Sequence, residues 1–273
     1  MSRIYDALKK LESERGGAGD GAPNGHGNGH GNGSGKRWGW SRFFGTTARS
    51  AAAIGRLSFE LGPEVEEAFQ RLGTNLLVGP GVDVGRGPRL LGITSSQHGE
   101  GTTTTAGVFG SILVRRRGGR VAVVEANYRA PSFESVFNVH PDAGFAELVE
   151  GRRTVTEVAQ QTDVPDLFVV TGGHTLLGPS GLFDSPGMAA ALDQLRSQFA
   201  FVLFDLPPVN VYSDASILGP RLDAALIVIE ADRTRIPEVE RTRRSLERVG
   251  ARVVGAVLNR RRNYIPAVLE EML

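Results

Sequence analysis

The chain has 273 residues, 40% of them apolar, enough for one sizeable α/β domain plus tails. Its formal charge of +1 gives no electrostatic case for nucleic acid, and zero cysteines exclude disulfides and thiolate metal sites. No run of about 18 apolar residues occurs and the N-terminus lacks the basic-then-apolar layout of a secretory signal, so the expected location is the cytoplasm.

Residues 1–15 read as an amphipathic helix: Ser2 is a plausible N-cap, Ile4, Leu8 and Leu11 share a stripe, and Asp6 can pair with Lys10. A helix this short needs a surface to dock on, and two readings stay open, a partner or the chain's own domain. Residues 16–45 form a linker rich in Gly, Asn and His, too polar to bury a core and expected to be disordered. His26 and His30 alone on such a segment make a poor metal site. Its basic-aromatic end holds Lys36, Arg37 and Arg42 with Trp38, Trp40, Phe43 and Phe44, which suits a membrane interface, a protein groove or the chain's own surface. Residues 46–273 are the expected main domain. It opens with a helix over 63–77, with Pro63 at its start and Val65, Phe69, Leu72 and Leu76 on one stripe.

The stretch from Arg89 to Val108 then combines a buried strand (Leu90, Leu91, Ile93), a small loop from Ser95 to Gly101 and a helix beginning at Thr102. Strand, glycine loop, helix is how backbone N–H groups hold a phosphate at a helix N-terminus, and the stretch looks like a P-loop. In G-x-x-x-x-G-K-[ST] the Lys reaches the outer phosphates and the next hydroxyl holds Mg²⁺. Aligned on Gly101, Ser96 takes the first position, Thr102 the Lys position and Thr103 the hydroxyl position. Loss of that cation is expected to cost on the order of 2–4 kcal/mol of phosphate or transition-state stabilisation. The lysines, Lys9, Lys10 and Lys36, all precede the domain, so a replacement must be an arginine, the N-terminal segment folding back, or another chain. The plain alternative is an ordinary glycine-containing βα turn.

Beyond it, residues 120–125 read as a buried strand running into Glu125, Asn127 and Arg129, residues 167–171 as another, and 143–150 and 188–199 as helices. Residues 201–205 end in Asp205-Leu-Pro-Pro208, the form of a Walker B strand. Strands at 224–230 and 253–258 flank a charged helix at 237–249, and a short helix closes the chain at 264–273. This alternation predicts an α/β fold, a P-loop NTPase-like, mostly parallel sheet with helices on both faces, binding ligand at the strands' carboxyl ends.

At this level of detail residues 63–273 resemble the bacterial tyrosine kinase (BY-kinase) family, CpsD/CapB-like P-loop proteins of capsule and exopolysaccharide assembly. The matches are Glu67-Ala-Phe-Gln-Arg-Leu-Gly-Thr-Asn75, Ile93-Thr-Ser-Ser with Gly99-Glu100-Gly101, Arg129-Ala-Pro131-Ser132, Gly144-Phe-Ala-Glu-Leu-Val-Glu-Gly151, Thr162-Asp-Val-Pro-Asp-Leu-Phe-Val-Val170, Asp205-Leu-Pro-Pro208, Ser213-Asp214-Ala215 and Val254-Gly-Ala-Val-Leu-Asn259. Each is weak alone, and their order along the chain is strong. The resemblance implies ATP or ADP with Mg²⁺. It places nucleotide contacts at Gly99, Glu100, Gly101, Thr102, Thr103, Thr104, Arg129 and Asn259, the last near adenine, and metal contacts at Thr103 and Asp205. Plain alternatives stand beside three of these: Thr103 as an ordinary first-turn residue, Asp205 as a cap and Asn259 as a turn residue.

Four departures accompany it. Thr102 replaces the family's loop Lys; Glu125 and Asn127 replace the acids of Asp-x-Asp-x-Arg; Gln70 and Gly73 interrupt a Glu-x-x-Arg-x-x-Arg assembly helix; and Tyr264 stands alone where relatives carry a tyrosine cluster. Asn127 cannot accept a proton. Thr102, Glu125 and Asn127 are thus degenerate catalytic positions, and the expected protein is an adaptor or regulator, binding nucleotide without efficient turnover. Its expected partners are a membrane polysaccharide co-polymerase (chain-length protein) or a competent kinase subunit, with a homo-oligomer also open and a place at the inner membrane face through that partner. An active autokinase or ATPase with a substitute cation is the alternative. A partitioning or positioning ATPase of the related deviant P-loop class is a third reading, but that class requires an early loop lysine.

Overall fold

The computed structural model describes residues 63–78 and 89–261. The expectations for the N-terminal helix, the linker with His26 and His30, the Trp38/Trp40 patch and the C-terminal helix with Tyr264 lie outside the described residues. In chain order the elements are α1 (Pro63–Val78), β1 (Leu90–Ser95), α2 (Thr102–Arg117), β2 (Val121–Glu125), α3 (Phe133–Phe137), α4 (Phe145–Val149), α5 (Val155–Val158), β3 (Gln160–Gln161) and β4 (Leu167–Val170). They continue with α6 (Gly178–Phe183), α7 (Met188–Gln198), β5 (Phe201–Asp205), α8 (Asp214–Leu218), a 3₁₀ turn (Gly219–Arg221), β6 (Ala224–Glu230), α9 (Ile236–Arg248) and β7 (Val253–Asn259).

The strands form one sheet in the order β3-β4-β2-β5-β1-β6-β7, parallel except for the β3–β4 edge pair. Every residue of β1 and β2 is buried, as a parallel sheet covered on both faces requires. The two-residue alternation sorts neighbours to opposite faces. Leu90, Ala122, Val124, Val202 and Phe204 pack under α4 and α7, while Leu91, Ile93, Val121, Val123 and Leu203 pack under α2 and α3. Phe69 and Leu72 of α1 join the second face, whereas Val65, expected on the same stripe, is exposed.

Helix α2 sits directly on the sheet at Gly110, where an added methyl would come 3.0 Å from Leu167 and 3.1 Å from Val123. The predicted strands and long helices agree with the structure within a residue or two. Four helices of four to six residues and the polar edge strand β3 were not expected, because such short pieces carry no readable period. Among the described residues no helix is long and apolar enough to cross a membrane.

Parallel register aligns the strand ends on one edge: Glu125 lies beside Asp205, and Glu230 beside Asn259. The P-loop candidate rises from β1, which neighbours both β5 and β6.

Candidate functional site

The loop from Ser96 to Gly101 turns on two glycines at positive φ, Gly99 at 82° and Gly101 at 95°. At Gly101 a side chain would also collide with the Asn259 amide, so the tight approach of β7 requires glycine there. Glu100 points inward and is 1% exposed. Its Oε2 accepts from the backbone N–H of Ser96 (2.6 Å) and Gln97 (2.8 Å), and its Oε1 accepts from the Thr234 hydroxyl. Asn259 Nδ2 donates to the Glu100 carbonyl at 2.9 Å while Asn259 Oδ1 accepts from Arg260 N. Gln97 Nε2 reaches Glu238 at 2.7 Å, and the Thr242 hydroxyl meets Ser96 Oγ at 2.9 Å. Glu100 and Asn259, assigned from the sequence to nucleotide contact, therefore tie the loop together, and their side chains are engaged there. The first intrahelical bond runs from Thr105 N to the Gly101 carbonyl, leaving the N–H groups of Thr102, Thr103 and Thr104 without intrahelical acceptors. Those three donors at the positive helix end are the groups that could seat an anion.

Beside it, the Thr103 hydroxyl donates to Asp205 Oδ2 at 2.5 Å. Burial pushes the Asp205 carboxyl up to about 7, against the hydroxyls of Thr103 and Thr102, which stabilise its charge; Glu125 adds a further upward push. Asp205 Oδ1 has no partner, and neither does the buried Asn127 Oδ1 at the end of the adjacent strand. The orphaned Asp205 oxygen beside the Thr103 hydroxyl fits an oxygen-ligated divalent cation. Among the described residues no group of three His, Cys, Asp or Glu forms a metal cage, so such an ion would take its remaining ligands from phosphate and water, as Mg²⁺ does.

Glu125 works elsewhere. Its Oε1 accepts from Ser132 N (2.5 Å) and Phe133 N (2.8 Å), and its Oε2 from Gly172 N (3.1 Å). The carboxylate joins the start of α3 to the loop after β4. Arg129 is likewise committed: Asp214, itself fully buried, takes its guanidinium at 2.8 and 3.2 Å and also accepts from Ser180 Oγ. The hydrogen bond to Asp214, then its charge, raises the Arg129 pKa. Arg129 also lies 5.0 Å from the Tyr212 ring, whose edge meets His98 of the loop at 5.5 Å. The structure thus gathers Gly99, Glu100, Gly101, Thr102, Thr103, Asp205 and Asn259 at the loop. Asn127 lies at a neighbouring strand end, Thr104 is exposed, and the Glu125 and Arg129 side chains are tied to other elements. Sequence reasoning singled out no role for Thr234 or Tyr212. Asp214 stood within the matched Ser213-Asp214-Ala215, the one signal that could have found it.

This architecture is that of a P-loop NTPase-like α/β protein. No protein-family model matches the chain. It is 26% identical over 168 residues to the putative tyrosine-protein kinase CapB of Staphylococcus aureus, covering 62% of this chain and 73% of that protein. Tyrosine-protein kinase CpsD of Streptococcus agalactiae is 24% identical over 198 residues (72% and 84%), and YwqD of Bacillus subtilis 25% over 193 (71% and 80%). The crystal structure of the chimerical protein CapA2B2 superposes with TM-score 0.69 at 27% identity, covering 76% of this chain and 90% of that one. The kinase domain of Escherichia coli ETK, at 22% identity and TM-score 0.67 (84% and 88%), shares the fold. The chain is thus similar, at 24–26% identity, to CapB/CpsD-like bacterial tyrosine kinases over most of their length.

Proposed function

We propose that the chain is a catalytically degenerate relative of these kinases, an adaptor or regulator of capsule or exopolysaccharide assembly that holds nucleotide without efficient turnover. The observation that carries this reading is a phosphate loop fully braced by Glu100, Asn259 and Thr234 around a Thr103–Asp205 pair, with Thr102 in place of the cation. ATP or ADP would seat its outer phosphates on the N–H groups of Thr102, Thr103 and Thr104. Thr103 and Asp205 would hold Mg²⁺, with the orphaned Asn127 oxygen at the adjacent strand end. When bound, that ion supplies charge neutralisation at the phosphates.

What the chain's own groups lack is the rest of phosphoryl transfer. Thr102 brings no charge to the γ-phosphate, and neutral Asn127 cannot take a proton from an attacking hydroxyl. Glu125, the remaining acid of that segment, has its oxygens filled by three backbone donors. A protein that recognises nucleotide but does not spend it suits a cytoplasmic subunit seated on a membrane polysaccharide co-polymerase or a competent kinase. Purified full-length protein given ATP and Mg²⁺ is expected to show no phosphotyrosine by mass spectrometry while still binding nucleotide. Labelling at a rate typical of its relatives would overturn the reading. The second reading, an active autokinase or ATPase, has in its favour the Arg233 guanidinium at the rim of the loop. Phosphotyrosine that Asp205→Asn abolishes would establish it.

A further inference from the structure

The turn between β6 and α9 is fastened to the phosphate loop. Thr234 gives its hydroxyl to Glu100, and the backbone N–H of Glu230 donates to Thr234 Oγ1 at 3.3 Å. One residue earlier in the same turn, Arg233 extends over the loop: a methyl built on Gly99 would lie 3.5 Å from Arg233 Nη1. The guanidinium thus lies beside the open space over Gly99, about where a side chain at that position would stand, with half of its own side chain open to solvent (53% exposed).

Its resting partner is Glu230, reached from Nη1 at 2.7 Å. That carboxylate has a second cation, Arg260 Nη1 at 2.8 Å on the other oxygen. Burial works against the Glu230 charge, yet hydrogen bonds and charge from Arg260 and Arg233 hold its pKa below the ordinary glutamate value. Two guanidiniums share this one carboxylate, and Asp232 belongs to the same turn. If Arg233 turns to another anion, Glu230 keeps Arg260 and no carboxylate is stranded. The Arg233 end of the pair is half in solvent and Glu230 keeps a second cation, so the exchange costs little. Arginine also offers a planar fork suited to phosphate oxygens.

Resting on the nucleotide-binding reading above, we infer that Arg233 is the substitute cation of this phosphate loop. It moves from Glu230 to the outer phosphates of a bound nucleoside triphosphate and does from the β6–α9 turn what a lysine at position 102 does from inside the loop. Its reach through solvent makes it a binding contact more than a rigid transition-state clamp, which agrees with nucleotide being held and not turned over.

The test is isothermal titration of the full-length protein with Mg²⁺ and ATP, ADP or AMP, on wild type, Arg233→Gln, Arg233→Lys, Thr102→Lys and Thr102→Lys/Arg233→Gln, each checked for an unchanged melting temperature. Arg233→Gln is expected to weaken ATP roughly 10- to 30-fold and AMP less than about 2-fold, since only the outer phosphates meet the guanidinium. Arg233→Lys should retain most of the affinity. In the Thr102→Lys background the same Gln substitution should cost less than about 3-fold, because the loop then has its own cation. Equal ATP affinity in wild type and Arg233→Gln overturns the inference and leaves the nucleotide reading standing. Absence of binding in both wild type and Thr102→Lys overturns the two together.

Discussion

Asp205 is a buried acid whose charge the fold itself disfavours, and this has a measurable sign. Its carboxyl is raised from 3.8 to about 7 by burial, so the native state holds a proton that the unfolded chain releases. The corresponding stability is fully present below about pH 4 and is lost as pH rises towards about 7, a contribution on the order of 4 kcal/mol. Asp205→Asn removes that slope. Denaturant melts of wild type and variant between pH 4 and 8 should show the wild type losing ground steadily against the variant; parallel profiles would mean that Asp205 ionises freely in the folded state. Glu125 is a carboxylate whose oxygens the fold uses as acceptors. Replacing it by Gln leaves one acceptor oxygen for three backbone donors and weakens the charge-assisted bonds to Ser132, Phe133 and Gly172. The expected cost is about 2–3 kcal/mol, read as a lowered urea midpoint.

At the scale of elements, the phosphate loop holds its shape through contacts from β7 and from the β6–α9 turn as much as through its own glycines. Gly101→Ala introduces a side chain at φ 95° and drives it into the Asn259 amide. A loss of about 1–3 kcal/mol is expected, and Asn259→Ala in the same chain should relieve part of it, giving a less-than-additive double-mutant cycle in thermal melts. The strands and this loop were legible in the sequence because each is a local pattern. Examples are the apolar run Val121–Glu125 and the Gly99-Glu100-Gly101 spacing ahead of four threonines. The ties that decide what each site residue does are not local. Glu100 meets Thr234 across 134 positions, and Arg129 meets Asp214 across 85. No window of sequence contains both ends, so Arg129 and Glu125 read as free functional groups when their hydrogen bonds are already spent on the fold.

For the molecule as a whole, the proposed degeneracy raises the question whether a few side chains on an intact scaffold are all that would have to change. The sheet brings the ends of β1, β2 and β5 together in parallel register, and two of the groups found there, Asp205 and Asn127, each keep an unpartnered oxygen. If the scaffold is intact, Thr102→Lys and Asn127→Asp should cooperate, the first aligning the γ-phosphate and the second accepting a proton from the attacking hydroxyl. The pair is expected to raise ATP turnover at least about 10-fold above either single variant, measured as released phosphate, because each group is of little use without the other. Asn127→Asp carries its own cost. It adds an acid beyond Glu125 to the neighbourhood of the buried Asp205, so without metal that variant should melt below wild type, and Mg²⁺ should restore much of the difference by binding the folded form. Turnover no higher in the double variant than in the singles would mean that residues 102 and 127 do not by themselves limit the chemistry, and would place the limit in the elements that hold them.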